Sequence, residues 1–256
     1  MKPILKVENL NISFQQKNGK KIIVENGSFE VNPGEFVLIL GENGAGKSSI
    51  FRSIVREDTN PSNDKRDMYF NGELIDTQKK LDIFRRSIGY ARQEDDPDRF
   101  FSRKVIRYVK DYVEASQQLI GTDADMAIDE VYNALKCDKY ADGELKTRKL
   151  SKCSGGEKRM VTLLSALSRT KSDLYILDEP INNLDAPHAR LLNNYLARLK
   201  KRDNPPGILV ITHCHMFQCV DRVYKLDNGK IYEISNYIPK SCYGDCNECG
   251  LYKEEE

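Results

Sequence analysis

The residues best placed to do chemistry lie in one stretch, Gly41-Glu42-Asn43-Gly44-Ala45-Gly46-Lys47-Ser48-Ser49. It follows the apolar run Phe36-Val37-Leu38-Ile39-Leu40 and leads into a helical pattern with Ile50, Phe51, Ile54 and Val55. G-x-x-x-x-G-K-S between a strand and a helix is the context of a phosphate-binding loop. The glycines let the backbone curl until successive N–H groups face one anion, and the helix N-terminus behind them adds its positive end. From there Lys47 can reach the β- and γ-phosphates of a nucleoside triphosphate, and Ser48 can offer its hydroxyl to Mg²⁺. The stretch predicts nucleoside triphosphate binding.

Phosphate loops serve kinases, GTPases and many ATPases, so later motifs must decide among them. Leu174-Tyr175-Ile176-Leu177 is an apolar strand that ends in Asp178-Glu179-Pro180. At a strand end beside a phosphate loop, the first acid can hold Mg²⁺ and the second can polarise an attacking water. Cys153-Ser154-Gly155-Gly156-Glu157-Lys158-Arg159 precedes a helical pattern with Met160, Leu163, Leu164 and Leu167. Ser-Gly-Gly at a helix start exposes N–H groups and a hydroxyl, which makes a second anion-binding end. One chain has no need of two such ends around one nucleotide. Two chains facing each other do, because each can close the γ-phosphate of the other.

Other elements must position these groups. Short strands are expected at residues 5–7, 11–14, 20–24 and 27–31, and the turn Asn32-Pro33-Gly34 delivers strand 35–40 into the loop. Asn71-Gly72 and Asn228-Gly229, each between strand-like runs, predict two hairpins. From about residue 95 to residue 152 the texture turns polar and helical. Val105, Tyr108, Val109, Tyr112 and Val113 define one amphipathic helix, and Met126, Val131, Tyr132 and Leu135 a second, opened by Thr122 and Asp123 as caps. A helix over residues 187–200 precedes a buried-looking strand at 207–211. The 256 residues suffice for one domain with an insertion, and 40 Lys+Arg against 39 Asp+Glu give a net charge of +1. That balance argues against a field for nucleic acid or anionic membrane. No apolar run is long enough to span a bilayer, and the start shows no secretory signal, so any link to a membrane is expected through a partner.

The order of the phosphate loop, Gln93, Ser154-Gly155-Gly156-Glu157, Leu177-Asp178-Glu179-Pro180, Asn183-Leu184-Asp185 and Thr212-His213 resembles the ATP-binding-cassette (ABC) ATPases. The resemblance covers residues 4–235, with a helical subdomain at 95–155 carrying the Ser-Gly-Gly motif, and leaves residues 236–256 as a C-terminal tail. It implies an α/β fold: a phosphate-loop NTPase core sheet, an antiparallel β portion and the inserted helical subdomain. It also implies Mg²⁺-dependent ATP hydrolysis. By this likeness Phe14 stacks on adenine, Gln93 senses Mg²⁺ and the water, and Ser48 and Asp178 position the metal. Glu179 is then the general base and His213 the switch histidine at the γ-phosphate. Ser154, Gly155 and Gly156 contact the nucleotide across a homodimer or cassette heterodimer, and Asp185 joins the two sites. Cys153 stands where the family commonly has leucine, Glu157 where it has glutamine, and Ser49 where it has threonine; none removes a catalytic position. The leading expectation is a cytoplasmic nucleotide-binding subunit, peripheral to a membrane through separate transmembrane subunits. A soluble ABC ATPase of protein or iron–sulfur assembly is the alternative, and a nucleotide-dependent regulatory sensor the third.

Seven cysteines are present, three of them clustered as Cys242, Cys246 and Cys249 in a turn-rich stretch. C-x-x-x-C-x-x-C suits a soft metal, either zinc or an iron–sulfur cluster, and a tail of free thiols is the other reading. A fourth ligand would have to come from Cys214, His215 or Cys219, which requires the tail to fold back.

Overall fold

The computed structural model describes residues 2–16, 19–55, 64–93, 102–140 and 143–239. Strands β1 (Leu5–Gln16), β2 (Gly19–Val31), β4 (Asp64–Phe70) and β5 (Glu73–Leu74) form an antiparallel sheet in the order β2-β1-β4-β5. Strands β3 (Phe36–Gly41), β6 (Ile88–Ala91), β7 (Leu174–Asp178), β8 (Gly207–Thr212), β9 (Arg222–Asp227) and β10 (Lys230–Ile234) form the second sheet. Its order is β10-β9-β3-β8-β7-β6, parallel except for the edge strand β10.

Every residue of β3, β7 and β8 is buried. The period of two explains why these strands read as continuous apolar runs. Phe36, Leu38 and Leu40 join Ile208 and Val210 in one apolar cluster, while Val37 and Ile39 join Leu209 and Ile211 in another on the opposite face. Helix α1 (Lys47–Val55) and the antiparallel sheet cover the second face. Helices α3 (Val105–Glu114), α4 (Thr122–Ala134) and α5 (Gly155–Leu167) contribute to the first cluster. The helical block therefore shares its core with the sheet.

Four features differ from the sequence expectations. The paired short strands at the start are each one long strand, β1 and β2. Breaks in their alternation are absorbed by register shifts near Asn9 and Asn26, whose φ values of 53° and 50° mark local kinks. Met126 is 70 % exposed, because Ala124, Ala127, Ile128 and Val131 form the buried stripe and Met126 lies around the helix from it. Helix α4 starts after Gly121, with φ 58° and no side-chain cap bond; Thr122 and Asp123 sit inside its first turn. Helix α2 (Gln78–Ser87) has no counterpart in the sequence reading. Its signal was Thr77, whose hydroxyl accepts from the Lys80 N–H at 3.3 Å, followed by buried Leu81 and Phe84.

Candidate nucleotide site

Strand β3 ends at Gly41 and the chain loops into α1. Gly44 and Gly46 take φ values of 82° and 103°, a region that favours glycine, and a Cβ on Gly46 would lie 2.0 Å from Cγ2 of Ile23. The loop is thus shaped from within and clamped from β2. The Lys47 ammonium is buried; it donates to the carbonyls of Gly41 and Glu42 at 2.8 and 2.9 Å and lies 3.1 Å from Oε1 of Glu179. Ser48 Oγ donates to Oε1 of Gln93 at 2.9 Å.

The remaining groups arrive from strand ends. Adjacent parallel strands β6, β7 and β8 finish on the same side of the sheet, which brings Gln93, Asp178–Glu179 and Thr212–His213 to the loop. Burial pushes the Asp178 carboxyl up to about 6, although the neighbouring Ser48 hydroxyl acts to lower it. Its Oδ1 is buried with no hydrogen-bond partner. A buried orphan carboxylate oxygen beside a serine hydroxyl and a glutamine carbonyl is an all-oxygen donor set, and it fits Mg²⁺. Glu179 has φ 47°, an uncommon left-handed conformation for this residue. Its Oε2 accepts from Thr212 Oγ1 at 2.9 Å and meets Nδ1 of His213 at 2.9 Å. Burial raises the Glu179 carboxyl, but His213, Lys47 and Thr212 outweigh it and hold the pKa below the ordinary value. Glu179 is therefore an ionised carboxylate held between two basic side chains.

These groups border an open cleft of about 550 Å³ lined by Phe14, Lys21 and Ile23 on one side, Asn43, Gly44 and Gly46 to Ser49 on the floor, and Gln93, Glu179, Asn182 and His213 opposite. Phe14 is 48 % exposed, which leaves its ring available to a flat ligand. Lys21, Ile23 and Asn182 were missed in the sequence. Lys21 pairs directly across from Phe14 in the β1–β2 register, a relation only strand pairing reveals.

Ser154, Gly155, Gly156 and Asp185 do not line this cleft. Ser154 caps α5 in a capping box: its hydroxyl accepts from the Glu157 N–H at 3.3 Å, and the Glu157 carboxylate accepts from the Ser154 N–H at 2.8 Å. Asp185 caps α6 (Ala186–Leu199), accepting from the His188 N–H at 2.9 Å. Cys242, Cys246 and Cys249 lie outside the described residues. Among the described residues no group of three or more His, Cys, Asp or Glu could hold a metal. The chain does run back toward the His213 loop before the tail, for the Tyr237 hydroxyl donates to the His215 carbonyl at 2.8 Å.

The family model described as ABC transporter matches residues 24–182. The chain belongs to this family. As an ABC ATPase it hydrolyses ATP and uses Mg²⁺. An ABC transporter ATP-binding protein of Pyrococcus furiosus is 30 % identical over 91 % of this chain and 80 % of its own length. The Fe(3+) ions import ATP-binding protein of Fusobacterium nucleatum is 28 % identical over 93 % of this chain, and the match spans 59 % of that relative. Among solved structures, cbiO1 from Clostridium perfringens, part of an ABC transporter complex, aligns with a TM-score of 0.65 and 27 % identity, over 91 % of this chain and 88 % of that one. Among the described residues, no helix of the cassette is long and apolar enough to cross a membrane.

Proposed function

We propose that the cleft is the ATP hydrolysis site and that Glu179 is its general base. The observation that carries this reading is the ionised Glu179 carboxylate on the cleft wall, hydrogen-bonded to His213 and 3.1 Å from the Lys47 ammonium. In this reading Lys47 and the loop amides of residues 41–49 bind the β- and γ-phosphates, and Phe14 stacks on adenine. Ser48, Asp178 and Gln93 hold Mg²⁺, which when bound neutralises phosphate charge. Arrival of the phosphates draws Lys47 from Glu179, and the released carboxylate takes a proton from water while His213 orients it and donates to the γ-phosphate.

The second anion-binding end serves another chain. Ser154, Gly155 and Gly156 start a helix away from the cleft, which supports their closing the nucleotide of a facing cassette, identical or related, with Asp185 linking the two sites. The resulting ATP-driven closure powers a membrane transporter whose spanning subunits are separate chains, with the cassette on the cytoplasmic face. The import function named for the Fusobacterium nucleatum relative and the complex named for the Clostridium perfringens one support this reading. For the tail, the spacing of Cys242, Cys246 and Cys249 supports zinc or an iron–sulfur cluster, which elemental analysis of the parent against a triple Cys→Ser variant would detect.

Sedimentation tests the paired-cassette reading. With Mg-ATP, Glu179→Gln should run as a dimer, and adding Ser154→Arg should return it to a monomer that still binds ATP. An unchanged monomer mass with saturating ATP would reject the homodimer. Copurification of the parent with a membrane protein after detergent extraction supports transport, and recovery with soluble partners alone rejects it.

A further inference from the structure

Arg159, the fifth residue of α5, is only 4 % exposed and does not line the cleft. Its guanidinium nevertheless holds the segments that build the cleft wall. Nη2 donates to the Asp178 carbonyl at 2.6 Å, Nε to the Pro180 carbonyl at 3.3 Å, and Nη1 to the Arg92 carbonyl. The first two carbonyls bracket Glu179, the residue in left-handed conformation, and the third immediately precedes Gln93. A left-handed non-glycine residue persists only where its surroundings over-determine it. A guanidinium does that well, because its planar fork fixes its acceptors relative to one another.

We infer that Arg159 is a positioning residue for hydrolysis, holding the backbones of Glu179 and Gln93 in register with the start of α5. The inference rests on the reading of Glu179 as general base. It goes beyond that reading by tying the chemistry of one cleft to the helix that carries Ser154. The carbonyls that flank Glu179 and precede Gln93 are thereby bonded to the helix whose first turn is the Ser-Gly-Gly end. The link is made through main-chain acceptors, so the residue types at 92, 178 and 180 do not announce it.

Arg159→Lys tests this. It keeps the charge and most of the apolar stem but lacks a planar fork for three acceptors. The expected result is a kcat at least about tenfold lower with ATP affinity within about threefold of the parent, measured by phosphate release and equilibrium binding. Added to Glu179→Gln, Arg159→Lys should lower the residual turnover by less than it lowers that of the parent, because the part of its effect that acts through Glu179 is already lost. A parental kcat, a joint loss of ATP affinity, or a fully multiplicative loss in the double variant would overturn the inference, the last two indicating a merely structural role. If Arg159→Lys is insoluble, Arg159→Gln is measured in the same way, and insolubility of both assigns Arg159 to folding and overturns it as well. Parental turnover in Glu179→Gln alone is a separate failure, of the base reading itself, and removes this inference with it.

Discussion

Two helix starts in this chain carry glycines, at α1 and at α5, and they differ in how far the described chain itself constrains them. At α1 the fold leaves no freedom: Gly46 has φ 103°, a Cβ there would strike Ile23 at 2.0 Å, and Lys47 is buried under its own loop carbonyls. At α5, Gly155 is exposed and a Cβ on it would meet nothing within 4 Å among the described residues. The glycine at α1 is required by neighbours already present. The glycine at α5 meets no neighbour among the described residues, which agrees with the proposal that its need arises from a facing chain. One end is constrained by folding, and the proposed function leaves the other to a facing cassette.

The largest effect should come from Gly46→Ala. Forcing alanine into that conformation and against Ile23 should cost about 2–6 kcal/mol in denaturant unfolding and abolish ATP binding. Glu179→Gln, at the same end, should leave ATP binding intact while phosphate release falls about 10²–10⁴-fold, since side-chain shape and the phosphate-binding groups stay and the base is lost. Turnover at the parental rate would remove Glu179 from that role. At α5, Ser154→Ala should lower stability by about 1 kcal/mol in thermal or chemical unfolding, the loss of one cap. Smallest of all, Gly155→Ala should change the stability of the monomer by no more than about 0.5 kcal/mol. Its effect should appear instead in sedimentation, as weaker ATP-driven dimerisation in a Glu179→Gln background. If Gly155→Ala destabilised the monomer as much as Gly46→Ala, the contrast between the two ends would be gone.

The sequence made the local devices legible. G-x-x-x-x-G-K-S, the Asn-Gly hairpins and the apolar runs of β3, β7 and β8 can be read because each depends on a few successive residues with particular backbone freedom or burial. Helix α2 was missed despite its Thr77 cap, for its charged residues obscure the Leu81–Phe84 face. Met126 was misplaced because choosing the buried stripe of α4 requires knowing which side meets α5 and the sheet.

What the sequence determined by itself is the presence of a glycine-rich loop between β3 and α1, two acids at the end of β7 and a Ser-Gly-Gly helix start at α5, together with the family their order resembles. Only the tertiary structure decided that Gln93, Glu179 and His213 meet Ser48 and Lys47, that Lys21 stands beside Phe14, and that Arg159 grips three carbonyls behind the site. The reason is physical. Strand order and register bring distant residues together, and main-chain carbonyls are the same at every position, so neither leaves a mark on residue type.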